Sequence, residues 1–310
     1  MSPTNPVRRA GALGGTVAGA PLRLVGGLAS PARADMARLV RRAIGLRGDP
    51  PPMATDPADA YLPPGGMART VHLDLPAMLI GGLTALLLQM LHPLAMAGVA
   101  EHSSYRDDPL GRLQRTATFV RTTTFGTVAE AEAAMARVHR VHDRVRGTAP
   151  DGRPYSAHDP DLVTFIHVAE VWSFLASSQR YGPQPLTPAQ CDRYYEEVAP
   201  VALALGATWV PRSAPEAEGY LRRVRPELHA GPQAKEARDW LLRGVARRPA
   251  DRAVYALALA AAVGILPPWA RRELRLSVAG PFDLFVDTAA VTPLTRGLSA
   301  ALRWAVARPA

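Results

Sequence analysis

Two groups of side chains in this chain have the types and spacing to do chemistry. The first centres on His142. Val128, Ala131, Met135, Val138, His142 and Val145 recur at alternating steps of three and four, so one face of a helix carries five apolar residues and one imidazole. A ring nitrogen aimed into hydrocarbon needs a partner, either a polar group of the core or a metal ion. The second group is Arg112-Leu113-Gln114-Arg115-Thr116, which begins thirty residues before His142. With Phe119, the offsets zero, three, four and seven stack two guanidinia and a hydroxyl on one helical face, while Leu113, Ala117 and Val120 make the adjacent apolar face. Such arginines either point to water or enter a pocket, where Arg binds a carboxylate bidentately and Thr donates to a bound oxygen species.

Together these groups suggest an iron-porphyrin pocket. A haem needs a flat apolar slot, an axial ligand on a rigid element, and cations or donors for its two propionates. His142 supplies the metal ligand, Val138 and Val145 the walls, and Arg112 the cation. The competing reading is a core histidine satisfied by a carbonyl or carboxylate. Other histidines are weaker candidates. His139 flanks the stripe beside Arg137 and Arg140, at a helix edge. His92 precedes Pro93 in an apolar context and reads as a capping or core residue. His158, next to Asp159, reads as a turn residue. His167 and Glu170 share a helical face and resemble half of a metal site, but no second Glu-x-x-His pair completes a di-iron bundle.

The elements that must hold these residues are helices. Helical periodicity repeats from about residue 70 onward and hairpin dipeptides are scarce, so the chain reads as all-α: one multi-helix domain around a buried apolar central helix. Thr127 with Glu130, Thr187 with Gln190, and Ser213 with Glu216 have capping-box spacing. Asp108-Pro109 and Asp159-Pro160 give an N-cap acceptor followed by a first-turn proline. Helices are expected near 34–46, 74–91, 93–102, 109–123, 128–146, 160–180, 188–205, 214–224, 232–246, 251–265 and 281–306. Residues 1–66 read as an N-terminal arm ending in a Pro/Gly-rich linker, and 67–310 as the helical domain.

Composition limits the functional classes. The chain has 310 residues, 48% of them hydrophobic, enough to bury a large core. Formal net charge is +9, with Lys235 as the single lysine, and the arginines are interspersed with acids without aromatic interleaving, unlike a nucleic-acid surface. One cysteine, Cys191, excludes an internal disulfide and a Cys-cluster metal site within the chain. Arg8-Arg9 before a Gly/Ala-rich stretch is a poor match to a twin-arginine export signal, and a cytoplasmic location is expected. Leu75 to Leu91 is uncharged but interrupted by Gly81-Gly82, Thr84 and Gln89, which favours a buried helix over a bilayer span; peripheral membrane contact is the residual expectation.

Taken in order, a set of short motifs makes the chain resemble the MpaB-type oxygenase and rubber-oxygenase family of helical haem proteins, which includes the latex-clearing proteins. They are Leu88-Gln89-Met90-Leu91-His92-Pro93, Glu101-His102-Ser103, Asp108-Pro109-Leu110-Gly111-Arg112-Leu113, Thr116, Phe125-Gly126-Thr127, Val138 with His142, Val145-Arg146-Gly147, Tyr155-Ser156-Ala157 and Leu266-Pro267-Pro268 with Arg271. The resemblance covers about residues 70 to 280. It implies a b-type haem with His142 as proximal ligand. The latex-clearing branch also has a distal Arg-Leu-x-Lys-Thr segment; Arg112 and Thr116 match it, while Arg115 takes the lysine position and, staying protonated, is a poor iron ligand. That branch's distal glutamate base has no counterpart at a matching motif. Glu101 is the nearest carboxylate and Glu170 a second candidate. The expected activity is haem-dependent oxygenation of an apolar, unsaturated or terpenoid-like substrate by dioxygen or a peroxide, with Arg112, Arg115, Thr116 and Glu101 around the reacting site. The alternative is a non-catalytic helical module that binds haem or a hydrophobic small molecule.

Overall fold

The computed structural model describes residues 53–243, 249–276 and 291–306. Twelve α-helices occupy these residues: α1 (Met67–His72), α2 (Leu75–Gln89), α3 (Pro93–His102), α4 (Pro109–Phe125), α5 (Val128–His142), α6 (Pro160–Tyr181), α7 (Pro188–Ala204), α8 (Ala214–Val224), α9 (Pro232–Arg243), α10 (Pro249–Ile265), α11 (Pro268–Glu273) and α12 (Val291–Val306). The all-α class holds. Between α5 and α6 a two-stranded antiparallel hairpin departs from it, with β1 (Arg146–Thr148) against β2 (Pro154–Ser156) and Gly147 opposite Tyr155. The expected helix 34–46 and the first part of the expected 281–306 helix lie outside the described residues.

Local signals placed most helix starts. Thr127 and Thr187 close full capping boxes with Glu130 and Gln190. Asp108 and Asp159 accept from the amides of Gly111 and Asp161. The Ser213 box is only half made: its hydroxyl accepts from Glu216 N, but the Glu216 carboxylate takes the amide of Arg212 instead. Two short helices escaped the pattern, α1 and α11, each six residues long and too brief to show a period. α1 is capped from far away: the Glu197 carboxylate on α7 accepts from Ala68 N at 2.9 Å.

The core is organised by α2, whose Leu87 and Leu88 are completely buried. It packs chiefly along α6, with α10 and α12 on other sides. The crossing with α6 is close because Gly81 lies against it: a Cβ there would sit 2.9 Å from Phe174 Cδ1 and 3.0 Å from the Phe174 Cα and the Ser173 carbonyl oxygen. Ser177 on α6 donates to the Ala77 carbonyl at 2.7 Å, and Gln89 donates to that of Ile166 at 3.1 Å. Thr84, inaccessible to solvent, spends its hydroxyl on its own helix at Ile80 O, 2.9 Å away. No single helix among the described residues is long and apolar enough to cross a membrane; α2 and α3 together would qualify by length and composition but are bent by 105°.

The Pro/Gly-rich stretch before α1 is fastened to the α4–α5 junction. Ala54 N and Tyr61 N donate to Phe125 O and Gly126 O, Val128 N donates to Asp59 O, and Leu62 is buried. Arg69 on α1 reinforces this corner with bonds from Nε to Thr124 O (3.1 Å) and from Nη1 to Ala54 O (2.6 Å).

Gly81→Ala forces the α2–α6 crossing apart, because two of the three obstructing atoms are backbone. The expected loss is about 1–3 kcal/mol, read as a lower urea midpoint at unchanged slope. A neutral or stabilising result would show that the crossing is not the tight point described.

Candidate functional site

The His142 stripe is covered unevenly. Ala131 and Met135 are buried, Val138 and His142 are half-buried, and Val128 is exposed. α5 ends at His142, four residues earlier than periodicity suggested. The chain then turns into the hairpin, with Val145 N donating to His142 O and Ala157 N to Val145 O. Val145 therefore lies off the helix and packs with Ala97 and Tyr155. Pairing of β1 with β2 satisfies backbone groups that further helix would otherwise have to satisfy, which is why the period ran on in sequence but not in space.

His142 Nδ1 is buried and makes no hydrogen bond. Burial, then the nearby His158 and His139 rings, hold its pKa below the ordinary histidine value, so the imidazole is neutral near pH 7. His158 meets it edge-on with centroids 5.8 Å apart, stacks on His139, and bonds Asp143 Oδ1 through Nε2 at 2.8 Å. His139 donates from Nε2 to Ala204 O at 3.0 Å, which makes it a bridge between α5 and the end of α7. Among the described residues no group of three His, Cys, Asp or Glu side chains is arranged to hold a metal ion. A single imidazole with an unspent, buried nitrogen fits a group that brings its own equatorial ligands, as a porphyrin does.

The α4 residues divide by depth. Arg112 is half-buried and its pKa is lowered by burial. Arg115 and Thr116 are exposed, and Arg115 is tethered to Asp108 and to Ser104 Oγ, each at 3.2 Å. Glu101 sits apart, on α3, where its carboxylate accepts a short hydrogen bond from the Tyr155 hydroxyl; that phenol, also 3.1 Å from His102 Nε2, has its pKa pushed up to about 12, first by burial and then by this bond. This cluster clamps α3 to the hairpin. His92 is buried against Phe165, with Nδ1 unpartnered.

A second group of polar residues lines a cleft bounded by Leu62, Phe119, Val120, Thr123, Val171, Phe174, Val198 and Val201. His72 Nδ1 is 2.7 Å from Thr124 Oγ1 and its Nε2 is 3.0 Å from the Tyr194 hydroxyl. Because Thr124 donates its proton to Val120 O at 2.7 Å, the threonine oxygen must accept from His72 Nδ1–H, which leaves Nε2 to accept from Tyr194. Burial lowers the His72 pKa to about 3, in keeping with this neutral tautomer. His167 and Glu170 also line the cleft. Burial pushes His167 down to about 4 and raises Glu170 to about 7. The shared face of His167 and Glu170 was legible as an i, i+3 pair; His72 was not, because its partners lie 52 and 122 residues away.

The model of the catalytic domain shared by ER-bound oxygenase mpaB/B' and rubber oxygenase matches residues 69–304. The chain belongs to this family. It is an oxygenase, and the match runs from within α1 to within α12, so every candidate residue lies inside it. No curated protein and no solved structure matches the oxygenase significantly.

The buried histidines make its stability depend on pH. His72, His92 and His167 have folded pKa values of about 3, 4 and 4 against the ordinary 6.5, so as pH falls below 6.5 the unfolded chain takes up three protons that the fold refuses. Glu170, raised from 4.5 to about 7, acts oppositely: its stabilising contribution is complete below 4.5 and is lost as pH rises through 7. Between pH 6.5 and 4.5 these four groups alone give a net difference of about two protons, and the lowered His142 adds in the same direction, so stability should fall with falling pH by on the order of 3 kcal/mol per unit and more steeply in Glu170→Gln. Urea midpoints of the haem-free protein at pH 5, 6 and 7 measure this; a flat profile contradicts the assigned burial.

Proposed function

We propose that the oxygenase uses a b-type haem, with His142 as proximal ligand, to oxygenate an apolar substrate with dioxygen or a peroxide. The observation that carries the reading is the buried, unpartnered Nδ1 of a neutral imidazole on a half-covered apolar stripe, within a chain of this family. When bound, such a group supplies an iron centre able to bind and activate oxygen. The chain's own residues supply the rest. Val138 and His142 offer the apolar face, and neutrality of His142 keeps a lone pair available for a metal. Arg112 remains charged despite burial and offers donors for a propionate or for negative charge developing on oxygen. Arg115 and Thr116, exposed one turn further on, are positioned for a group entering from solvent. A carboxyl base is needed only for a reaction that removes a substrate proton. Of the two carboxyls considered, Glu101 is committed to Tyr155, whereas Glu170 lines the apolar cleft.

The deciding experiment is the absorption spectrum of the full chain produced with haem supply. A Soret band is expected, and His142→Ala should abolish or shift it. Absence of the band in the parent protein would overturn haem dependence; an unchanged band in the variant would remove His142 as ligand. With haem bound, oxygen uptake on unsaturated hydrocarbons or terpenoids should fall about tenfold or more in Arg112→Leu and less than about threefold in Arg115→Leu, because the former guanidinium is half-buried and the latter exposed. Equal losses would show that burial does not separate their roles.

A further inference from the structure

The cleft between α4, α6 and α7 has a wall whose polar hydrogens are almost entirely committed. Thr123 donates to Phe119 O, Thr124 donates to Val120 O, and both His72 nitrogens are engaged by Thr124 and Tyr194. Two groups are not. His167 is only 8% exposed and its Nε2 is buried with no hydrogen-bond partner. The carboxyl of Glu170, one turn further along α6, has its pKa raised by burial alone, with no hydrogen bond contributing. Leaving a buried ring nitrogen unsatisfied costs about 1–3 kcal/mol, and a fold tolerates that where a ligand completes the bond.

The remaining wall is hydrocarbon: Phe119, Val120, Val171, Phe174, Val198 and Val201 among others. The closed part of the cleft is small, about 30 Å³, so anything larger than a water enters only as its side chains move aside. The cleft continues the α4 face that carries Arg112 and Thr116, since Thr116, Val120 and Thr123 follow at helical offsets of four and seven.

We propose that this cleft binds an apolar molecule carrying one hydrogen-bonding oxygen function, a hydroxyl or carbonyl, which His167 Nε2 and the Glu170 carboxyl receive while the hydrocarbon body packs against the phenylalanine and valine wall. The two polar groups suit either function. The carboxyl, raised to about 7 by burial, is substantially protonated at neutral pH and donates to a carbonyl or accepts from a hydroxyl, and the neutral imidazole serves in whichever role its tautomer leaves. Taken as the substrate's position, the inference rests on the oxygenase proposal above. Binding itself does not need the haem, so the two can fail separately.

The test uses the full-length, haem-free protein and two probes of nearly equal shape, benzyl alcohol and ethylbenzene, which differ in a hydroxyl for a methyl. Calorimetric titration of the parent protein, His167→Leu and Glu170→Gln gives the affinities. His167→Leu is expected to weaken benzyl alcohol about tenfold while leaving ethylbenzene unchanged or tighter, since a tenfold change corresponds to one hydrogen bond of about 1.4 kcal/mol. Glu170→Gln, which keeps a donor and an acceptor, should retain alcohol binding to within about threefold. A measurement on the parent protein stands beside these in case His167→Leu fails to fold: the His167 Nε2 resonance should move on adding benzyl alcohol and stay in place with ethylbenzene. The proposal is overturned if neither probe binds, if both probes respond alike to His167→Leu, or if the Nε2 resonance ignores the alcohol, the last showing that a bridging water alone occupies the cleft.

Discussion

The close crossing of α2 and α6 is the constraint on which the other contacts depend. α2 is apolar on nearly every face and must be covered on nearly every face. Gly81 allows the α6 backbone near Phe174 to approach within contact distance, and the bonds from Ser177 to Ala77 and from Gln89 to Ile166 hold the two helices in register. Once that pair is set, α10 and α12 close the far side of α2, and one face of α6 remains for the candidate site. His167 and Glu170 stand on that face, on a helix held along α2.

The opposite wall is held differently. α4 and α5 pack on each other, and the stretch before α1 pins their junction through Ala54, Asp59 and Tyr61 and through Arg69. The cleft therefore has α6, packed along α2, on one side and α4, fixed at its junction with α5, on the other.

Polar groups are placed in this core in two distinct ways. His72, Thr124 and Tyr194 form a closed chain in which each hydrogen has a determined acceptor, and such a chain rigidifies without inviting a ligand. His142, His92 and His167 instead keep a buried nitrogen without a partner. Desolvation keeps all of them neutral, the form in which imidazole binds a metal or exchanges a hydrogen bond with a neutral ligand. The cost falls on acid stability, since the unfolded chain accepts the protons that the fold excludes.

Local chemistry was enough to read the helical class, the helix starts with their Thr, Asp and Pro signals, the amphipathic face that carries His142, and the shared face of His167 and Glu170, because each depends on residues within about two helical turns. The order of the motifs likewise carried the family. What tertiary structure decided was which faces are covered. Arg112 and Arg115 are equivalent by spacing, yet one is half-buried and the other is held at the surface by Asp108 and Ser104. Val145 fits the stripe by period but leaves the helix to join a hairpin, and Glu101 proves to be clamped by a tyrosine 54 residues away. His72 gave no local sign, since its role is set by Thr124 and Tyr194, and long-range pairing of buried polar groups has no period for a sequence to display.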